Sequence, residues 1–369
     1  HMPDESTFRT GRAHRRAEER RRKPRRKTLV VTAWTAAALV VLGGTGLGYV
    51  YVKLNGNING VDINGTLGVD RPKNVDNGSM DILVLGSDSR SGANAKYGED
   101  ESGSRSDTAM VVHVYEGHKR AAIVSIPRDT LITRPDCTSP GGTPVPGNRD
   151  QMFNTAYAVG GPACAVKTVE SMSGIRMDHY VEVDFTGFKK LIDTLGGVRI
   201  TTHQAIDDDK SRLHLSPGRH TLRGEQALGL VRTRHGIGDG SDLGRIRLQQ
   251  AFVKALINQI GEVGVFSNPK KLYDLASTAT GAVTTDSDLA SVKQLAGFAG
   301  GLKNIGANDT TMITLPVAYD PKDANRVLPR PAQDRQVWSA LRADRPIPPE
   351  AGRNSAGDKG SVGEVVTGG

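Results

Sequence analysis

Aspartate and arginine side chains gather at the ends of three apolar runs between residues 81 and 130. Asp88 follows the first run, Arg105 and Asp107 precede the second, and Arg128 follows the third. Short apolar runs bounded by glycine and proline predict buried strands, so their charged ends would lie at an edge of a sheet. Carboxylates beside arginines suit a divalent cation together with a polyanion such as a pyrophosphate.

Asp88 and Asp107 are the candidate metal ligands. If the first two strands are antiparallel neighbours, the two aspartates meet at one edge of the sheet. Proteins hold Mg²⁺, and similarly Mn²⁺, with few carboxylates and leave positions for water and phosphate oxygens. A single aspartate at a strand end is more often a turn residue. The metal prediction therefore depends on Arg105, which would share a face of an extended segment with Asp107.

A second group of arginines brackets a glycine-rich loop further along the chain. Arg232 and Arg234 are two residues apart, which aligns them if this piece is extended. Arg245 and Gln249 are four residues apart and share one face of a predicted helix. A solvated charge run would explain Arg247, but it explains poorly the other positions around the loop. Because arginine forks bind phosphate oxygens in a bidentate manner, the group favours a phosphate site.

The segments between these groups predict helices that cover a sheet. A strand at 180–183 is followed by Asp184, a candidate N-cap, and by a helix over 185–195. Residues 154–172 have apolar positions at helical spacing, and Gly160-Gly161-Pro162 predicts a kink in that helix. This alternation of strands and helices argues for an α/β architecture.

The N-terminal region differs in composition from the rest of the chain. Residues 1–27 contain eleven Lys or Arg and four acidic residues, so this basic tail has a net charge of +7 and accounts for most of the chain's formal net charge of +8. Residues 28–52 carry no charge, and at helical rise they extend about 37 Å, enough to cross a bilayer core of about 30 Å. The positive flank predicts a single-pass membrane protein with a cytoplasmic N-terminus and an extracytoplasmic domain.

Two other interpretations of this region stay open. A cleaved signal peptide is the first, although the apolar stretch is long and lacks a clear small-residue cleavage site. The second is a nucleic-acid-binding tail. Because topology and anionic lipid already account for a basic flank beside a membrane span, we expect no nucleic-acid partner.

Cys137 and Cys164 are the two cysteines of the chain. In an oxidising extracytoplasmic compartment they could pair, and closing a loop of this length would stabilise the fold by about 3 kcal/mol. Two unrelated buried thiols are the alternative. A metal site is disfavoured because neither a CxxC motif nor a histidine at ligand spacing is present.

Composition divides the rest of the chain into three segments. Residues 53–79 are rich in Asn, Gly and Asp and predict an extracytoplasmic stalk. Residues 80–320 hold the predicted catalytic domain. Residues 321–369 form a C-terminal extension that we expect to be disordered from about residue 346, where it becomes polar and rich in Pro, Gly and Ser.

Several motifs occur together in order: GSDSR, RSDT, SIPRDT, VEVDFTGFKKLIDTLGGV and RTRH followed by DLGRIRLQQ. Over roughly residues 80–262 they resemble the LytR-CpsA-Psr family. The resemblance implies a three-layer α/β/α sandwich around a central mixed β-sheet, preceded by one transmembrane helix, with an apolar pocket for a polyprenyl chain. It also implies a Mg²⁺- or Mn²⁺-dependent phosphotransferase that moves a glycopolymer from a polyprenyl-pyrophosphate carrier to peptidoglycan through a phosphodiester.

The resemblance also implies site roles and partners. The metal ligands would be Asp88 and Asp107, and the catalytic residues Asp107, Arg128 and Arg105. The pyrophosphate would be bound by Arg105, Arg128, Lys167, Arg232, Arg234, Arg245 and Gln249. The implied partners are a polyprenyl-pyrophosphate-linked glycopolymer, a peptidoglycan acceptor and membrane lipid around the anchor. Two alternatives would use the same site: a pyrophosphatase with water as acceptor, and an envelope regulator that binds the lipid pyrophosphate without turnover.

Overall fold

The computed structural model describes residues 27–39, 59–87, 106–233, 242–353, 355–356 and 366–368. The helices are α1 (27–39), α2 (Ile63–Leu67), α3 (Thr155–Ser173), α4 (Phe185–Thr194), α5 (Gly224–Arg232), α6 (Asp242–Val263), α7 (Pro269–Ala282), α8 (Val292–Leu302) and α9 (Pro331–Arg342). Short 3-10 helices span Val265–Ser267, Ser287–Leu289, Ala307–Asp309 and Pro349–Gly352.

The strands are β1 (Asn59–Val61), β2 (Met80–Ser87), β3 (Ser106–Val114), β4 (Ala121–Ile126), β5 (Leu131–Arg134), β6 (Cys137–Thr138), β7 (Pro144–Val145), β8 (Asn148–Met152), β9 (His179–Asp184), β10 (Val198–Thr202), β11 (Ile206–Asp208), β12 (Leu213–Leu215), β13 (Gly218–Leu222), β14 (Val283–Asp286), β15 (Thr310–Thr314), β16 (Val317–Asp320), β17 (Asp323–Pro329) and β18 (Val366–Gly368).

Residues 1–56 and 57–369 form two separate compact units. The described part of the first unit is the helix α1. Among the described residues, no helix combines the length and the hydropathy needed to cross a membrane. Residues 40–52, the larger part of the predicted span over 28–52, lie outside the described residues.

A seven-stranded mixed sheet with the order β1-β14-β9-β2-β3-β4-β15 organises the second unit. β2 pairs with β9 in parallel and with β3 antiparallel, and β4 pairs with β15 in parallel. The prediction of an α/β fold around a central mixed sheet is confirmed.

The kinked helix α3 covers one face of this sheet. Leu83, Leu85, Val111 and Val124 alternate along three neighbouring strands, are fully buried, and join one apolar core with the helix. Gly160 and Gly161 have non-helical backbone angles, which confirms the predicted kink in α3. Asp184 accepts a hydrogen bond from the backbone N–H of Gly187, which confirms the predicted N-cap of α4.

The opposite face of the sheet is covered less completely. Val84, Val112, Val181, Val183 and Met312 lie on this face and are only half-buried. α6 approaches it near β4 and β15, where the amide of Gln250 donates to Ser125 Oγ at 3.1 Å and to Thr314 Oγ1 at 3.4 Å. This face, which we call the open face, therefore keeps partly exposed apolar residues beside buried ones such as Met110 and Ile123.

A second core lies between α4, α5, α6 and the small sheet β13-β10-β18. Its fully buried residues include Ile200 and Phe252. Val366 of β18 packs into the same core, and β18 pairs antiparallel with β10. This corrects the expectation of disorder after residue 346, because a buried valine and strand pairing hold residues 366–368.

The folded unit also reaches beyond the boundaries expected at residues 80 and 320. β1, inside the predicted stalk, pairs in parallel with β14 at the edge of the central sheet. Arg71 forms a buried bidentate pair with Glu170 of α3, at 2.9 and 2.8 Å. In the C-terminal extension, Trp338 and Leu341 of α9 are part of the main core. The polar composition of residues 53–79 suggested a stalk, but strand pairing and the Arg71–Glu170 ion pair attach this segment to the folded unit. Buried apolar residues of α9 attach the C-terminal segment.

Candidate functional site

The carboxyl end of β2 and the amino end of β3 meet at one edge of the sheet. Ser87 pairs with Ser106, and Asp107 is the extra residue of a β-bulge opposite the step from Gly86 to Ser87. The two strands are antiparallel neighbours, which meets the condition that was set for the predicted pair of aspartates. Bulges often occur beside active sites, where they redirect a side chain. Asp88 and Arg105 lie outside the described residues, as does the side chain of Asp107.

Arg128, Asp242 and Arg245 form a cluster at this edge. Arg128 follows β4, and its Nε lies 3.5 Å from Oδ1 of Asp242, the first residue of α6. Nη2 of Arg245, one turn later, forms an ion pair with the same oxygen. The Asp242 and Arg245 side chains are 9% and 4% exposed, and Arg128 is 20% exposed. The Asp242 carboxylate thus pairs with two guanidinium groups, and the three side chains together carry a net positive charge.

Gln249 and Arg232 lie where α5 and α6 meet. The amide of Gln249 donates to the carbonyl of Val231 at 2.9 Å, which ties α6 to the last turn of α5. The guanidinium of Arg232 lies over the ring of Phe185, 4.8 Å from its centroid. Arg232 is the last residue of α5, so the extended conformation that would align it with Arg234 is not present at Arg232. Arg234 lies outside the described residues.

A narrow cleft joins the arginine cluster to the half-covered face of the sheet. It lies between β3, β4 and α6, and in this structure it is too narrow to hold a water molecule. Arg128, Asp242, Gln249, Thr108 and Ile246 line it. The structure therefore brings Arg128 and Gln249 together at one cleft, and Asp242 connects Arg245 to it.

Lys167 is placed differently from the arginine cluster. Its Nζ donates to the backbone carbonyl of Asp136 at 2.5 Å, beside Cys137. Cys137 and Cys164 form a disulfide with 5.5 Å between their Cα atoms, which confirms the predicted pairing. The described hydrogen bond of Lys167 thus supports the disulfide loop, and its predicted role with pyrophosphate stays a prediction.

The chain is similar to known proteins in both sequence and fold. The model of the LytR_cpsA_psr family matches residues 50–342. The chain belongs to the LytR_cpsA_psr family. The cell wall biosynthesis protein LcpA of Corynebacterium glutamicum is 33% identical over 307 residues, which cover 76% of this chain and 58% of LcpA. This chain therefore matches less than two thirds of the length of that relative.

A second relative has both a curated name and solved structures. The polyisoprenyl-teichoic acid–peptidoglycan teichoic acid transferase TagT of Bacillus subtilis is 35% identical over 240 residues, covering 62% of this chain and 69% of TagT. A solved structure described as TagT bound to LI-WTA aligns with a TM-score of 0.57 and 27% identity, covering 77% of this chain and 98% of that one. The central mixed sheet is thus shared with structures of the LytR_cpsA_psr family.

A buried polar group next to the site was not predicted from the sequence. Glu182 of β9 is buried on the α3 face and shares hydrogen bonds with Tyr157 of α3 and with Ser87. Burial raises the pKa of the Glu182 carboxyl and of the Tyr157 hydroxyl. The alternation of side chains along a strand could have indicated this burial, because Glu182 points to the same face of β9 as the buried Tyr180 two residues earlier.

The first turn of α3 contacts two of the strand ends that form the site. Tyr157 shares side-chain hydrogen bonds with Glu182 and with Ser87, the residue directly before Asp88. The backbone N–H of Asn154, the N-cap residue of α3, donates to the carbonyl of Arg128 at 3.0 Å. One helical turn thus fixes the chain on both sides of the cleft.

Proposed function

We propose that this chain is a membrane-anchored phosphotransferase that moves a glycopolymer from a polyprenyl-pyrophosphate carrier to peptidoglycan, forming a phosphodiester. Its membership of the LytR_cpsA_psr family supports the proposal. So does its similarity to TagT, which is named as a transferase between a polyisoprenyl-linked teichoic acid and peptidoglycan.

The observation that carries the proposal is the position of a cationic cluster beside the open face of the sheet. Arg128 and Asp242 line a cleft whose lining also includes Thr108, a residue on the same sheet face as Val84. Asp242 pairs with both Arg128 and Arg245. A polyprenyl chain gains about 25 cal/mol for each Å² of apolar surface that it buries. Arginines at the end of that surface provide forks for the pyrophosphate oxygens. A substrate with an apolar tail and an anionic head fits both features.

The chemistry requires stabilisation of charge more than covalent work by the protein. A hydroxyl oxygen of the acceptor forms a bond to the phosphorus that carries the glycopolymer, and the bond to the lipid phosphate breaks. The acceptor loses a proton, and the lipid phosphate leaves with the bonding electrons. Arg128 and Arg245 neutralise the negative charge that grows on the phosphate oxygens, in a cleft that limits contact with water.

Asp88 and Asp107 are the proposed ligands of Mg²⁺ or Mn²⁺. The pairing of Ser87 with Ser106 brings the two chain segments together, and carboxylate oxygens are suitable donors for a hard divalent ion. Such an ion would supply further positive charge to the pyrophosphate oxygens. Ligation of a metal by Asp107 would compete with a role of the same carboxylate as proton acceptor.

The proposal is tested by transfer of labelled glycopolymer from a purified lipid-linked donor to peptidoglycan. We expect Arg128→Ala to lower the rate about 100-fold or more, because the arginine stabilises charge in the transition state. Arg219→Ala, which removes an exposed arginine of β13, is the matched control and should retain full activity. Thermal unfolding of both variants checks that the fold is unchanged.

Product analysis separates this function from its alternatives. Release of the glycopolymer phosphate at the same rate without peptidoglycan would indicate a pyrophosphatase. Tight donor binding without turnover under any acceptor condition would indicate a regulator. Unchanged ligation by Arg128→Ala would contradict the site assignment.

A further inference from the structure

The first turn of α7 and the 3-10 helix before it expose an unusual group of side chains. Phe266, Leu272 and Tyr273 are 47%, 40% and 36% exposed. Lys270 and Lys271 lie between them in sequence and are exposed as well. One exposed apolar residue is ordinary on a protein surface, but three large ones within eight residues are not. We call these five residues the α7 surface.

The backbone under the α7 surface is well held. The side chain of Asn268 caps α7 by accepting hydrogen bonds from the backbone N–H groups of Lys270 and Lys271, at 3.1 and 3.2 Å. Nζ of Lys271 also donates to the carbonyl of Val263 at 3.2 Å, which joins α7 to the end of α6. The exposure of Phe266 and its neighbours is therefore a feature of ordered structure.

α7 connects this surface to the open face of the central sheet. It packs against α4, where the Oγ1 atoms of Thr194 and Thr278 lie 3.0 Å apart and Gly187 abuts Ala282. α7 then leads directly into β14, whose first residue Val283 pairs with the half-buried Val183. The α7 surface thus lies about 20 Å along one helix from the apolar face.

The first strand of the folded unit, β1, begins close to the end of α7. β1 runs parallel to β14, with Asn59 opposite Thr284, so β1 begins where α7 ends. Only residues 53–58 separate Asn59 from the end of the predicted span, and six extended residues reach at most about 20 Å. In sequence, β1 therefore follows the predicted span closely.

We propose that the α7 surface lies in the interface of an anionic phospholipid bilayer. Aromatic rings prefer the headgroup region, and lysines beside them are attracted to acidic lipids. The contact would orient the open face of the sheet so that a polyprenyl chain can pass along α7 without crossing water. This inference rests on the proposed membrane location, but it does not depend on the catalytic step.

A fluorescent probe on the full chain tests the contact. Phe266→Cys is labelled with the environment-sensitive dye NBD, and the protein is reconstituted in phosphatidylglycerol-containing nanodiscs with spin-labelled lipid. The two native cysteines are paired, so the dye attaches only at the new thiol. Lys119→Cys, in the exposed turn between β3 and β4 at the opposite edge of the sheet, is the control. We expect blue-shifted emission and quenching roughly twofold or more greater at position 266 than at 119.

Two further variants identify the partner. Lys270→Gln with Lys271→Gln should reduce the quenching at position 266 in anionic discs and leave it unchanged in purely zwitterionic discs. Equal quenching at positions 266 and 119 would overturn the proposal. A blue shift that appears in lipid-free detergent and grows with protein concentration would also overturn it, by indicating a second copy of the chain as the partner.

Glycopolymer transfer is measured on the same preparations. Loss of the lipid contact with intact transfer would refute only the bilayer contact. If the dye at position 266 lies in lipid but no glycopolymer is transferred to peptidoglycan, only the proposed reaction is refuted.

Discussion

The two faces of the central sheet are built from similar residues but are covered differently. On the α3 face, Leu83, Leu85, Val111 and Val124 have no exposed surface. On the opposite face, Val84 and Val112 of β2 and β3 stay half-buried. The difference shows that apolar residues on both faces of a strand do not by themselves close both faces, because the packing of helices decides which face is fully covered.

The closed face also carries polar groups at both of its ends. Glu182 with Tyr157 lies at the site end, next to Ser87. At the other end, His113 is fully buried, with Nδ1 2.7 Å from Asp81 and Nε2 2.7 Å from Asp344. The apolar middle of this face therefore lies between two hydrogen-bonded groups. The Glu182 group is next to the candidate site, and the His113 group binds Asp344, which follows α9.

The same substitution on the two faces should separate stability from function. Val111→Asn places an amide among fully buried apolar side chains, so we expect the free energy of unfolding to fall by about 3–5 kcal/mol. Denaturant titration measures this loss. A loss under 1 kcal/mol would mean that the α3 face is less closed than the buried fractions indicate.

Removal of Glu182 tests the site end of the closed face. In Glu182→Ala, Tyr157 and Ser87 lose a buried partner, which should lower the free energy of unfolding by about 1–3 kcal/mol. Transfer activity should fall as well, because Ser87 leads directly to Asp88. Glu182→Gln keeps the shape and hydrogen-bonding capacity and should restore both; failure of this rescue would show that the charge itself is needed.

The His113 group should make stability depend on pH. Burial alone lowers the pKa of His113, but the hydrogen bonds and charges of Asp81 and Asp344 outweigh it and raise this pKa above 6.5. Burial also raises the pKa of Asp81, and Asp178 lies against its backbone. Both folded-state shifts mean that the native state binds more protons than the unfolded chain.

Stability from His113 is therefore complete below pH 6.5 and is lost as the pH rises through the raised pKa. Burial of Asp81 also lowers the stability of the fold as the pH rises above 3.8, because the folded state then has to hold a buried ionised carboxylate. Denaturant midpoints from pH 5 to 9 should fall more steeply for the native chain than for His113→Gln. Parallel curves would show that the histidine does not titrate in this range.

Val181→Asn, on the half-covered face, should have the smallest effect on the fold. Because Val181 already contacts solvent, we expect the free energy of unfolding to change by less than about 1 kcal/mol. The KM for the lipid-linked donor should rise at a near-constant kcat if the polyprenyl chain lies on this face. An unchanged KM would place the chain elsewhere.

The sequence predicted local features well because neighbouring residues determine them. The N-cap at Asp184 and the kink at Gly160 and Gly161 were predicted and are present. The alignment of Arg232 with Arg234 on an extended segment is not present at Arg232, because helix α5 includes that residue. Propensity alone rarely defines a helix end to within one or two residues.

What the sequence determined by itself was the set of chemical groups and the pattern of strands, since charge, side-chain type and alternation belong to the residues. Only the tertiary structure decided that Asp242 joins Arg128 to Arg245, that Lys167 hydrogen-bonds to the disulfide loop, and that β18 completes a second core. Those outcomes depend on contacts between segments far apart in the chain. Composition and spacing do not encode which distant side chain will neutralise or bury another.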